Sequence, residues 1–307
     1  MPRPNTVSMR LGDVELHVVS DGIFRSDGGG HFGLVPRVLW EKIIPPDDLN
    51  RIPVAMNCLL IISHGVRILV DTGYGHKLTE KQRAIHALER PEGDVVAALG
   101  RLGLHPHDID IVINTHLHAD HCSGNTKWAS AGSDNIRPVN ESPQGEDRGC
   151  VEAIPTFPRA QYCVQRLEWA DACFPNERTR GTYFAENFRP LEATGQLRLL
   201  NGDTYITPEV RCIVTRGHTR AHQSVVIESK GQTAIYLGDA APTAVSLERL
   251  AWIAAFDVEP LESLETKRGL REWALQKDVV LFFEHDVRVP VGRLQREGEE
   301  YRVVCLL

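Results

Sequence analysis

The chain reads as a layered α/β protein, and three observations predict it. Short apolar or β-branched runs alternate with amphipathic stretches from Val14 to Phe283. Pairs of such runs flank tight turns at Ser63-His64-Gly65 and Lys230-Gly231, the pattern of β-hairpins. Four runs pass directly into ligand-type residues: His116, His218, Asp239 and His285. The carboxyl ends of strands are where α/β sheets place their sites.

Taken in order, Val14–Ser20 alternates as a strand, and Gly28–Gly30 reads as a Gly-rich turn. Cys58–Ser63 and Arg67–Val70 form a hairpin that ends in Asp71-Thr72-Gly73. Asp94–Leu102 has helix signals: Asp94 to cap it, Val95, Leu99 and Leu102 on one face, and Gly103 to stop it. Ile109–Asn114 is a strand running into Thr115-His116-Leu117-His118. Residues 126–158 are polar and irregular, an inserted loop. Gln161–Val164 and Gln196–Leu200 read as strands around a helical segment at Glu168–Ala172. The second half repeats the theme, with a strand at Val210–Thr215 and a hairpin of Ser224–Glu228 with Thr233–Leu237. A helix over Leu261–Leu275 precedes a last strand, Val279–Phe283. We read residues 1–307 as one domain with an N-terminal arm, 1–50, that could pack across a homodimer.

The 307 residues are 42% hydrophobic, enough to bury a full core. A formal net charge of −7 gives no broad positive field, so nucleic acid and anionic membranes are not expected partners. Met1–Arg10 carries no apolar signal core, and no apolar stretch is long enough to span a bilayer. The seven Cys are odd in number and include no CxxC pair, so reduced thiols in a cytoplasm are the expectation.

The chemistry concentrates in His116-x-His118-x-Asp120-His121. In an extended segment His116 and His118 point to one side, and a turn after them brings Asp120 and His121 to an adjacent point. An isolated His-x-His is more often a solvated loop. Three His and an Asp within six residues, directly after an apolar strand, suit two neighbouring cations instead. His218, Asp239 and His285 at other strand ends complete a dinuclear donor set of imidazole and carboxylate. That set suits zinc first, with manganese, iron or cobalt as alternatives.

These motifs, with Asp71-Thr72-Gly73, Gly217-His218-Thr219, Gly238-Asp239 and Glu284-His285, resemble in order those of the metallo-β-lactamase superfamily. The resemblance spans residues 12–290 and implies an αββα sandwich with two metals at one edge. It implies that His116, His118 and His218 hold one metal and Asp120, His121 and His285 the other, with Asp239 bridging. It implies that Asp71 is not a ligand but orients a ligand His. Within the superfamily, Gly217–Ser224, Gly30–Pro36 with Leu39-Trp40, and Trp252–Asp257 are similar to the quorum-quenching lactonases. One departure stands out. Acyl-homoserine-lactone lactonases carry a Tyr three residues after the bridging Asp, touching the substrate carbonyl, and this chain has Pro242 there.

The expected activity is hydrolysis of a lactone or carboxylic ester by hydroxide shared between two divalent cations, with Asp120 passing a proton to the leaving oxygen. Phosphoester or organophosphate hydrolysis is the alternative, favoured if Arg216 and Arg220 line the pocket. An inactive metal-binding interaction protein is the third reading. Cys122 reads as packing, and His222 as a residue supporting the ligands. His31, His64, His76, His86, His105 and His107 lack strand-end context and read as surface or packing. Trp128, Phe157, Tyr183, Phe184, Trp252 and Phe256 are candidates for an apolar acyl pocket.

Overall fold

A computed structural model describes residues 6–129 and 152–306. The middle of the expected 126–158 loop therefore lies outside the described residues. The first sheet runs β1 (Thr6–Leu11), β2 (Val14–Asp27), β3 (Arg51–Ser63), β4 (Val66–Val70) and β5 (Ile111–Ile113). A two-stranded ribbon, β6 (Thr126–Trp128) with β7 (Ala153–Pro155), forms the base of the loop. The sheet then continues with β8 (Gln161–Gln165) and β9 (Leu197–Leu200), in the order β1-β2-β3-β4-β5-β8-β9. The second sheet follows chain order: β10 (Thr204–Tyr205), β11 (Val210–Val214), β12 (Gln223–Ser229), β13 (Gln232–Tyr236), β14 (Val280–Phe282), β15 (Val291–Glu297) and β16 (Glu300–Cys305).

Each half contains an antiparallel hairpin followed by a parallel strand: β3-β4 with β5, and β12-β13 with β14. Pleating then sorts the side chains. Leu59 and Ile61 face the other sheet, as do Val225, Ile227, Ala234, Tyr236, Val280 and Phe282. Their neighbours Cys58 and Leu60 face one helical layer, packed with Val95, Leu99, Trp169 and Leu191. Val226, Ile235 and Leu281 face the other, packed with Leu247, Leu270 and Ala274. Both sheets are buried on two faces, which is why these strands read as continuous apolar runs. The result is the expected αββα sandwich. Among the described residues, no helix is long and apolar enough to cross a membrane.

Several expectations need correction. Residues 6–27 are not part of a loose arm, because β1 and β2 are paired strands of the first sheet. Gly28–Gly30 is not a turn but opens a short helix, Gly28–Phe32, capped by the Asp27 carboxylate, which accepts from Gly30 N. A capping bond to a fixed carboxylate offsets the poor helix propensity of glycine. The strands β1, β10, β15 and β16 and the helices Glu80–His86 and Ala244–Glu248 carried no recognised signal. β15 turns polar beyond Leu294, and β16, which alternates exposed and half-buried residues, is the edge strand paired to it.

The loop after β5 is pinned to the loop after β4 by close backbone approach. Gly124 N donates to Gly73 O at 2.9 Å, and Thr72 N donates to His121 O at 2.8 Å. A Cβ on Gly124 would meet Thr72 O at 2.1 Å. Gly124→Ala is expected to cost about 1–3 kcal/mol by forced displacement of that backbone. Gly100, inside the helix Val95–Arg101, has nothing within 4 Å of its Cβ position. Gly100→Ala should stabilise by about 0.5–1 kcal/mol. Urea midpoints of the two variants check both signs.

Candidate metal centre

The ends of β4, β5, β11, β13 and β14 meet at one rim of the sandwich. Three groups of side chains there bring their ligand atoms within 4.8 Å of one another: His116, His118 and His218; His116, His121 and Asp239; Asp120, His121 and His285. The structure thus gathers all seven sequence-selected residues, drawn from both sheets. Asp239 spans the two ends. Its Oδ2 lies 3.1 Å from His218 Nε2 and 3.5 Å from His121 Nε2, while Oδ1 lies 3.1 Å from His285 Nε2.

Hydrogen bonds behind the imidazoles fix which nitrogen faces inward. His285 Nδ1 is 2.7 Å from Ala55 O, so Nδ1 carries a proton and Nε2 is the nitrogen that faces the cluster. His218 Nδ1 is 2.9 Å from Asp257 Oδ1. His121 Nδ1 is 2.9 Å from Glu284 Oε2 and 3.2 Å from Asp71 Oδ2. Thr115 Oγ1 donates to Asp71 Oδ2, so it accepts from His116 Nδ1 at 3.0 Å. Four rings therefore turn Nε2 towards the centre, the arrangement in which carboxylate or carbonyl acceptors set a metal-binding tautomer.

The donor set fits cations. His116 Nε2 and Asp239 Oδ1 are buried without a hydrogen-bond partner. Imidazole nitrogens face each other at 3.1 Å (His218 with His118) and 3.2 Å (His285 with His121). Lone pairs this close repel unless a proton or a cation lies between them. Burial, then neighbouring imidazoles, holds His116 and His118 well below the usual histidine range. Burial opposes charge on His285 too, but Asp239 outweighs it and raises His285 to about 9. Burial pushes the Glu284 carboxyl up to about 8, against the pull of His121.

Asp71 holds the loop as well as the ring: its Oδ1 accepts Thr115 N at 2.8 Å. His222 accepts Asp239 N on Nε2 at 3.0 Å, so its Nδ1 donates to Thr215 Oγ1 at 2.8 Å. Thr215 and Ser224 hydroxyls, 2.9 Å apart, and Leu237 O continue the chain, tying β11, β12 and β13 together beneath Asp239. Glu168, fully buried, joins the two sheets' loops by accepting Leu117 N, Tyr183 OH and Thr219 Oγ1. Cys122 is core, its thiol donating to Leu117 O at 3.2 Å.

A cavity opens beside His218, Asp239 and His285, lined also by Trp252 and Phe256. Of the other aromatic candidates, Phe157 is buried in the core, Tyr183 packs on the His118 ring at 5.0 Å, and Phe184 packs against the apolar cluster of Phe32, Ile52 and Val245 without lining the cavity. Neither Arg reaches this cavity: Arg220 pairs with Asp171, and Arg216 lines a different groove. The reading of sequence missed Asp257, Glu284, Glu168 and His31. Glu284 beside His285 was a visible signal, but a lone carboxylate or His without strand-end context gives none. His31 corrects an expectation, since it lines the cavity rather than plain surface or packing.

The fold is that of the metallo-β-lactamases, with a His and Asp cluster at its rim that could hold metal ions. Residues 51–143 match the Metallo-beta-lactamase superfamily. An N-acyl homoserine lactonase of Bacillus cereus is 25% identical over 262 residues, covering 82% of this chain and 88% of that one. A crystal structure of a probable metal-dependent hydrolase from Staphylococcus aureus superposes with a TM-score of 0.83 at 28% identity, covering 97% of this chain and 100% of the other. A dizinc quorum-quenching lactonase in complex with its product shares the fold, with a TM-score of 0.75 at 18% identity and coverage of 99% and 98%. The chain has the metallo-β-lactamase fold, is similar to proteins of that superfamily, and is a metal-dependent hydrolase.

Glu168→Ala leaves three buried donors without an acceptor. It is expected to cost about 3 kcal/mol, whereas Glu168→Gln, which keeps one acceptor oxygen, should cost less than about half of that. Denaturant midpoints of the two variants decide whether the latch exists.

Proposed function

We propose that the protein opens lactones or carboxylic esters at a dinuclear centre, with N-acyl-homoserine lactones the first substrates to try. The observation that carries this reading is the cavity itself. It meets the ligand cluster at His218, Asp239 and His285, it is walled by Phe32, Ile52, Val245 and Trp252, and no Arg lines it among the described residues. An anionic phosphomonoester or phosphodiester gains from guanidinium clamps, and here Arg216 and Arg220 point elsewhere. The relatedness to N-acyl homoserine lactonases supports the same reading.

His116, His118 and His218 would hold one divalent cation, Asp120, His121 and His285 a second, and Asp239 both. Zinc fits this set, as do manganese, iron and cobalt. When bound, the cations supply Lewis acidity that acidifies water to near neutral pH and polarises the attacked carbonyl. Asp257, Ala55 O, Thr115 and the Asp71–Glu284 pair keep the imidazoles in their binding tautomers. Asp120, one-fifth exposed and 3.6 Å from His285, takes the proton of the attacking water on Oδ2 and returns it to the leaving alkoxide. The products are a carboxylic acid and an alcohol, joined in one chain when a lactone opens. Pro242 contributes no side-chain donor; its carbonyl accepts His285 N at 3.0 Å and so sets that ligand's backbone.

Elemental analysis with a panel of lactones and phosphotriesters tests the proposal. We expect two equivalents of transition metal and lactone turnover, lost at least about 100-fold in His118→Ala and on chelation. Turnover confined to phosphotriesters would replace the lactone reading, and bound metal without turnover of any ester would end it.

A further inference from the structure

His31 is the unexplained member of the cavity. The other titratable side chains that line it are engaged: His218 on Asp257, His285 on Ala55 O, Asp239 with His285, and Lys267 on Trp252 O at 2.8 Å. Among the described residues the His31 ring makes no hydrogen bond. Its neighbour is Phe256, edge-on with ring centroids 5.4 Å apart. Nor does it belong to any group of side chains close enough to share a metal ion. The imidazole lines the cavity without belonging to the ligand groups.

The fold fixes this ring with care. His31 sits on the short helix Gly28–Phe32, whose start is tied by Asp27 to Gly30 N, with Asn50 Nδ2 donating to the other Asp27 oxygen at 3.0 Å. The helix is clamped from two sides. A Cβ on Gly28 would meet the Trp40 ring at 2.5 Å, and one on Gly30 would meet Phe256 at 2.6 Å. Ala255 N donates to Gly30 O at 2.8 Å, closing the strap. A polar side chain held without a partner in a preorganised pose is ready for a ligand group.

We propose that His31 is a substrate-contacting residue whose imidazole N–H donates to the acylamino oxygen next to the scissile ester, selecting N-acyl lactones over lactones without an amide. The assignment rests on the lactonase reading above. His31 lines the same cavity as His218, Asp239 and His285, so a substrate whose ester reaches those residues brings its neighbouring amide within the same walls. Burial, then the charge of His285, lowers the His31 pKa to about 4, so the ring is a neutral donor.

The test uses His31→Phe, which keeps a ring without a donor, and His31→Gln, which keeps a donor. Metal content and melting temperature establish that both remain loaded and folded. For an N-acyl-homoserine lactone, His31→Phe should lower kcat/KM about tenfold or more, mainly through KM, with partial recovery in His31→Gln. For a plain γ-lactone of equal length the change should stay within about twofold. Calorimetry with the ring-opened N-hexanoyl-homoserine should show a loss of affinity in His31→Phe of about the same factor. Equal losses on both lactones, or none on either, overturn the assignment. A wild-type protein that opens no lactone overturns the lactonase reading instead, and calorimetry then decides His31. Tighter product binding by wild type than by His31→Phe supports the contact, and equal or absent binding ends it.

Discussion

Lone pairs forced together from both sheets are the constraint on which the rest of the structure depends. Five imidazoles and two carboxylates occupy one buried rim, with nitrogen facing nitrogen at 3.1 and 3.2 Å. Such a cluster has no favourable arrangement of its own at neutral pH. It persists because acceptors behind the rings, among them Ala55 O, Asp257 and Glu284, hold the protons outward. A divalent cation held there would relieve that repulsion and so link cation binding to folding.

The support for the centre is distributed across the seam between the sheets. Gln223 reaches from β12 to Asn114 O at the end of β5, and accepts from Gln165 of β8. Asn57 of β3 donates to Phe283 O and Asp286 O on either side of His285, while its own carbonyl accepts Tyr236 OH. Glu168 joins the His116–His118 loop to the His218 loop. These groups are buried and fully committed, so the rim is rigid and the ligands arrive preorganised. The variable part of the site is the outer wall, where the helix Gly28–Phe32 and the 253–256 strap meet. The donor cluster and the cavity wall thus belong to different layers: strand ends carry the groups that would hold cations, and loops line the way to them.

The sequence by itself determined the fold class, the two hairpins, the helix capped by Asp94 and the seven converging residues. Each of these has a local cause: strand periodicity, a turn with positive φ at His64 and Gly65, a capping carboxylate, or dense His and Asp at strand ends. Tertiary structure alone decided the rest. The strands β15 and β16 at that end of the sheet are half polar, and only pairing, β15 with β14 and β16 with β15, makes them strands. Asp257, Glu284 and Glu168 become functional through partners some forty to more than a hundred and fifty positions away along the chain, as 39 separate His218 from Asp257 and 51 separate Leu117 from Glu168. His31 shows the limit most clearly. Nothing in Gly28–Phe32 marks its imidazole as lining a reactive cavity, because that cavity exists only once the second sheet closes over the first.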